Sequence, residues 1–364
     1  MAGAAAALSL SESGWETIVL DGGHSSHAAI GGETLPGAAR PLLERLGVLD
    51  AFAHGPHLAA RARRSCWGEA APAERSALFT PYGGGWHLQR ERFDAMLRDA
   101  ATARGARFLR GRMRSIARDG RSFELSLGDA PRRVRARGVV DATGRTAAVA
   151  RRLGAVVKRS DRLVAACARS AGEIGAAAAD ERDAVSFVEA TRDGWWYSAP
   201  TPEGVYAVQF VTLPELWSAE RRMSARLACA PHTAARVGEL AAEPPNVVVA
   251  HSASTSPSAG RGWVAVGDAA GAYDPLASAG LLSAMLSGMR AAQALATWLR
   301  EGDATLLDTY AAMQQRAFER YLDQRARLYA SERRWPRAPF WTSASGPAMR
   351  DPALRRSASR AARA

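Results

Sequence analysis

"GWVAVGDAAGAYDPLASAGLLSAMLSG" (262–288) holds a short apolar run, a Gly-Asp pair, a loop stiffened by proline and the start of a long helix of small residues. The apolar run reads as a buried strand that delivers Gly267 and Asp268. A carboxylate placed there can accept hydrogen bonds from a polyol hydroxyl. Pro275 restricts the loop that follows. "SAGLL" then opens a helix at Gly280 and Leu281, whose first N–H groups have no intrahelical partner and favour negative charge above them. A plain loop capped by Asp268 would not need the whole spacing from Gly267 through Pro275 to Gly280.

Two other stretches point the same way. In "MAGAAAALSLSESGWETIVLD" (1–21), Gly3, Ala7, Leu10, Gly14 and Asp21 match the register of a dinucleotide-binding βαβ unit. Gly3 is then the third glycine, the one that lets helix and strand pack closely. Asp21 ends the second strand, where a carboxylate can hold a ribose diol. The second glycine would fall just before Met1, so the first strand is expected to be missing and the domain N-terminally short. An alanine-rich helix that matches by coincidence is the plainer alternative. In "GVVDATGRTAAVARRLGA" (138–155), a buried strand ends at Asp141, and Gly144 opens a turn into a helix start that favours anions.

The chain has 364 residues, 47% apolar and 23% charged, which suits a large α/β body with a sizeable core. No apolar run is long enough for a membrane span, and the start lacks the basic region of a secretory signal, so a cytoplasmic protein is expected. Cys66, Cys167 and Cys229 are widely spaced, in no metal-ligand pattern, and read as reduced buried thiols with no metal. The formal charge of +12 is almost all arginine, with Lys158 the sole lysine. The arginines are scattered and few aromatics lie among them. That describes a solvated basic surface and no nucleic-acid groove, while leaving room for an acidic partner or an anionic cofactor.

Strand–helix units stand at both ends of the main body, with strand-rich segments between. The expected fold is α/β: a Rossmann-like dinucleotide domain carrying an inserted, mainly antiparallel β domain. The dinucleotide domain is expected in three parts, at 1–62, 90–158 and 246–330, the last with the C-terminal helices. The inserted substrate domain takes 63–89 and 159–245, and 331–364 forms a loose basic tail.

These stretches resemble the FAD-dependent monooxygenases and reductases of the para-hydroxybenzoate hydroxylase type of fold, and within them the tryptophan-halogenase-like branch. "GGETLPGAARPLLERLGV" (31–48) is similar to that branch's Gly-Glu segment beside the flavin, and "WHLQRERFDAMLRDAA" (86–101) to its Arg-x-x-Phe-Asp helix. "DGWWYSAP" (193–200) resembles the strand that walls the substrate side. "SCWGE" (65–69) with "PYGGGWHLQRERFDAML" (81–97) looks particularly like flavoproteins that mature quinone-cofactor amine oxidases. The resemblance implies FAD as cofactor, held by Gly3, Asp21, Arg90, Asp141, Gly144, Gly267, Asp268, Pro275, Gly280 and Leu281. It implies a monooxygenase acting on a tryptophan-type group, free or in a quinoprotein amine-oxidase precursor. Electrons come from NAD(P)H or a flavin reductase.

Flavin hydroxylation wants a dry pocket with few strong acids or bases. Trp86 and Trp196 are the leading candidates to wall it, with Trp195, Tyr197 and Pro275 beside them, against simple core packing. His87 is a candidate donor or base and Glu33 a candidate for orienting flavin or substrate. The halogenases of this branch use a lysine after the Gly-Glu segment; here none lies between Glu33 and Trp86, so halogenation is not expected. Reduction of a polyprenyl double bond, as in related geranylgeranyl reductases, is one alternative. A truncated, FAD-deficient remnant that only binds a partner is another.

Overall fold

The computed structural model describes residues 1–23, 31–76, 80–128, 133–174 and 184–344. Its helices run Ala2–Glu12 (α1), Arg40–Arg45 (α2), Leu49–Ala53 (α3), Arg90–Ala103 (α4), Ala148–Arg152 (α5), Pro214–Ala219 (α6), Met223–Leu227 (α7), Pro231–Val237 (α8), Gly280–Glu301 (α9), Thr305–Ser331 (α10) and Pro339–Ala344 (α11). The alanine run makes α1 a strong helix former, and Gly14, at φ +80°, stops it. Leu42, Leu43, Leu46 and Leu49 stand at helical spacing, yet the segment 36–52 does not form one helix. Gly47, at φ +62°, separates α2 from α3.

Two parallel pairs frame the dinucleotide half. Ile18–Asp21 pairs with Arg107–Arg110, and Val139–Asp141 pairs with Trp263–Ala265. Helix α1 packs across both and lies along α9. A Cβ added at Gly288 of α9 would sit 2.5 Å from the Ala2 carbonyl oxygen, and one at Gly3 would sit 2.9 Å from the Ala142 Cβ. Small residues are therefore required on both sides of the contact. Ala5, Ala7 and Leu8 join Leu43, Phe52, Phe93, Leu97 and Met285 in one buried cluster.

The inserted half is a seven-stranded sheet, in the order Asn246–Val249, Val164–Arg169, Tyr206–Thr212, Gly194–Pro200, Val185–Thr191, Ala62–Cys66 and Ala73–Ser76; the boundary expected at 246 is corrected, because Asn246–Val249 pairs with Val164–Arg169 at the edge of this sheet. It is antiparallel except where Val185–Thr191 runs parallel to Ala62–Cys66. One face packs on α6, α7 and α8 through Trp196, Phe210, Trp217 and Met223. The other face meets the C-terminal segment through Trp195, Tyr329, Phe340 and Trp341. Among the described residues, no helix is long and apolar enough to cross a membrane.

Two further expectations are corrected here. The segment expected as a loose tail is not loose throughout: α11 is packed, with Phe340 and Trp341 buried, because its aromatics outweigh the surrounding arginines. The remainder of that expected tail, 345–364, lies outside the described residues. Of the three thiols, Cys66 and Cys167 are buried but Cys229 is exposed. Burial pushes the Cys66 thiol up to about 11 and the Cys167 thiol to about 12.

The indole N–H of Trp341 donates to the Thr191 carbonyl at 3.0 Å, and its ring lies 5.3 Å from that of Trp67. Trp341→Ala should therefore destabilise the protein by about 3–5 kcal/mol, as for a buried tryptophan. Urea unfolding checks this; an unchanged midpoint would show that α11 does not belong to the core.

Candidate functional site

The carboxyl ends of the parallel strands lead to one region, where open α/β sheets place their ligands. The strand Trp263–Ala265 leads to Gly267, whose N–H donates to the Ser287 hydroxyl of α9 at 2.9 Å. Gly267 takes φ +56°, and a Cβ there would meet the Ala2 Cβ at 2.8 Å. Asp268 follows, ion-paired with Arg145 at 3.3 Å. Arg145 also donates to the carbonyls of His251 and Tyr273, which fixes the turn after Gly144 beside the turn after Gly267. Gly144, at φ +65°, has open space where a Cβ would stand, and so does Gly280. Helix α9 starts at Gly280 with no side-chain cap, so its first donors remain available. Leu281 is partly buried and packs against the margin of the buried cluster.

Asp141 is placed differently. Its carboxylate accepts from the N–H groups of Thr143, Val149 and Ala150 at 2.7–3.0 Å and from the Thr143 hydroxyl at 2.6 Å. It is fully engaged in holding its own turn. Asp21, at the end of its strand, is exposed enough to pair with Arg98 at 3.0 Å. Pro275 begins a short turn, Pro275–Ala277, that Asp274 caps by accepting from the Leu276 N–H at 2.9 Å.

A second group gathers around Glu33. Arg90, at the start of α4, bridges Glu33 at 2.9 Å and Asp94 at 2.8 Å. Burial opposes its charge, but the two carboxylates more than offset this and hold its pKa above the ordinary value. Residues flanking Glu33 are also fixed. The Thr34 hydroxyl lies 3.0 Å from His87 Nδ1 and 3.1 Å from the Tyr197 hydroxyl, which donates to the Gly32 carbonyl at 2.7 Å. Burial pushes the Tyr197 phenol up to about 12. Burial also drives the His87 imidazole down to about 4; the Ala184 carbonyl opposes this, and Arg236 and Arg63 add to it.

Strand alternation sorts the aromatic candidates. Trp195 and Tyr197 face α10 and the Gly-Glu segment. Trp196 points to the opposite face and stacks near Phe210, with ring centroids 4.9 Å apart, under α6 and α7. It is not brought to this group. Trp86 turns away from His87 toward Phe52, with Arg40 5.3 Å above its ring.

The profile of the tryptophan halogenase family matches residues 54–362. The chain belongs to that family. It is 27% identical over 356 residues to LodB of Marinomonas mediterranea, a protein assigned by inference as an FAD-dependent oxidoreductase; the match covers 93% of each chain. Among solved structures it resembles the flavin-dependent halogenase CmlS (TM-score 0.84, 24% identity, 98% of this chain and 68% of that one). It also resembles the peptidyl tryptophan dihydroxylase QhpG (TM-score 0.76, 23% identity, 95% and 76%). A third likeness is to the myxobacterial halogenase CndH (TM-score 0.82, 20% identity, 99% and 88%). The fold is the Rossmann-like FAD-binding fold of these proteins.

The chain is an FAD-dependent oxidoreductase of this family, with FAD as its cofactor. The residues fit that cofactor: Gly144 and Gly280 leave open ground, and α9 starts without a side-chain cap, so its first N–H groups could serve an anionic group. Asp268 offers a half-buried carboxylate. Sequence reasoning missed Thr34, Arg145 and Asp274. Only Asp274 carried a local signal, as an Asp directly before Pro275 and able to cap the turn.

The neutral His87 has a measurable signature. Above an unfolded value near 6.5 the ring is neutral in both states. As pH falls below that, the unfolded chain takes the proton first and stability drops, until about pH 4 protonates the folded ring too. His87→Asn should flatten the slope of unfolding free energy in this window by up to about 1.4 kcal/mol per pH unit. Urea titrations at several pH values test it; an unaltered slope would place the acid sensitivity elsewhere.

Proposed function

We propose that this protein is an FAD-dependent monooxygenase that hydroxylates a tryptophan-type ring carried by a partner protein, a precursor of a quinoprotein amine oxidase. The observation that carries the reading is the placement of lysine. The halogenase resemblance assigns halogen transfer a lysine after the Gly-Glu segment. The sole lysine here, Lys158, stands exposed on the Val156–Arg159 strand, paired with Ala253–Ser256. It is not among the residues gathered around Glu33 and Arg90. Arginine is a poor replacement because it stays protonated. The likeness to QhpG, a peptidyl tryptophan dihydroxylase, supports the choice of a peptidyl tryptophan substrate.

In this reading Asp21 and Asp268 hold the cofactor's sugar and polyol hydroxyls, and the turns at Gly144 and Gly267 admit it. The start of α9 faces the flavin ring. FAD held there and reduced by a nicotinamide or a partner reductase would supply the two electrons which, with two protons, let one atom of dioxygen enter the ring and the other leave as water. The chain's own work is to orient and to exclude water. Arg90 holds Glu33 in place, and Thr34 and Tyr197 fix the backbone on either side of it. With His87 neutral and Tyr197 donating to Gly32, neither is a ready proton donor to the substrate. A site poor in free acids suits hydroxylation.

The test uses FAD-loaded protein, a reductant, isotopically labelled dioxygen and a tryptophan peptide from the cofactor-forming segment of a quinoprotein amine oxidase. Mass spectrometry should show the peptide gaining labelled oxygen, with or without halide. A halide-dependent gain of halogen with no oxygen would overturn the reading in favour of halogenation.

A further inference from the structure

Asp274 lies at the centre of a buried polar group that FAD binding by the strand ends leaves unexplained. Its carboxylate is 1% exposed and accepts from Arg325 Nε at 2.8 Å and from the Tyr329 hydroxyl at 2.6 Å. The Asp274 N–H donates to the Tyr321 hydroxyl at 2.8 Å, and that hydroxyl lies 2.6 Å from the Ser252 hydroxyl. Tyr321, Arg325 and Tyr329 stand four residues apart, on one face of α10. Arg325 also pairs with Asp161 at 3.5 Å. Tyr329 accepts from the Trp195 indole N–H at 3.0 Å. One carboxylate thus ties α10 and the large sheet to the turn at Pro275, just upstream of Gly280, the first residue of α9. A simple cap of that turn needs only the bond to Leu276. Burying a carboxylate, an arginine and two phenols beyond that cap is costly, so the network serves to fix the turn's place.

We propose that Tyr329 and Arg325 are positioning residues which, through Asp274, hold the Pro275–Gly280 segment so that the start of α9 meets the flavin ring. The inference rests on the reading that Gly280 faces that ring. Removing the clamp lets the segment shift. Donors that favour the reduced, negatively charged ring are then lost, and the flavin potential becomes more negative.

Tyr329→Phe removes one hydroxyl from the network and Arg325→Lys keeps the charge but not the reach to both carboxylates. Each should raise the FAD dissociation constant about tenfold, the loss of one buried bond to a charged group, and shift the flavin potential negatively. Gly280→Val is the control, since a side chain there meets nothing within 4 Å of protein. It should also move the potential. If Gly280→Val shifts the potential while folded Tyr329→Phe and Arg325→Lys leave both potential and affinity unchanged, the positioning role is overturned. If Gly280→Val has no effect either, the placement of the flavin at α9 falls, and the proposal with it. A fall in thermal stability alone, at wild-type potential and affinity, would mark the network as structural and count against the proposal.

Discussion

The close approach of α1 to α9 sets the geometry of the turns that follow the parallel strands. With the Ala2 carbonyl 2.5 Å from where a Gly288 Cβ would stand, the two helix backbones are nearly in contact. Dispersion between small residues is weak per atom, but here it is dense and leaves no room for alternatives. The same contact brings Ala2 against Gly267 and Gly3 against Ala142. Chain segments distant in sequence are thereby placed at one end of the parallel strands. The Gly-Asp pair and the turn after Asp141 inherit their positions from it.

The interior also accepts carboxylates that are buried, as Asp141 and Asp274 are, or partly buried, as Glu33 and Asp94 are. Asp141 is satisfied entirely by its own turn. Glu33 and Asp94 share Arg90, and Asp274 shares Arg325 with Asp161. Each of these carboxylates has a guanidinium or several N–H groups, which is the condition for keeping a charge inside. The formal excess of arginine therefore does more than solvate the surface: a few of those arginines are the counter-charges of the interior.

The parts of the fold that depend on local pattern were legible in the chain. The alanine run, Gly14, the Asp141 strand and the Gly267-to-Gly280 spacing all read as elements before any coordinates. The facing of Trp196 and Trp86 did not, because a two-residue alternation says that neighbours face apart but not which neighbour faces the site. The pairings of Tyr197 with Gly32 and of Tyr329 with Asp274 join residues 165 and 55 positions apart. Nothing in the local sequence marks such partners. The packed α11 was hidden by composition: its aromatics are few among many arginines, yet their contacts decide where it goes.

The parallel seam between Ala62–Cys66 and Val185–Thr191 has a consequence for biosynthesis. The first of these strands leaves the ribosome long before the second, and cannot complete its ladder until the chain has been made as far as Glu189. The sheet's inner face waits longer still, for Tyr329 and Trp341 near the far end of the described chain. High contact order of this kind slows folding. For most of its synthesis the nascent polypeptide carries an unfinished sheet with bare edges and uncovered tryptophans, the state in which chaperone capture competes with aggregation.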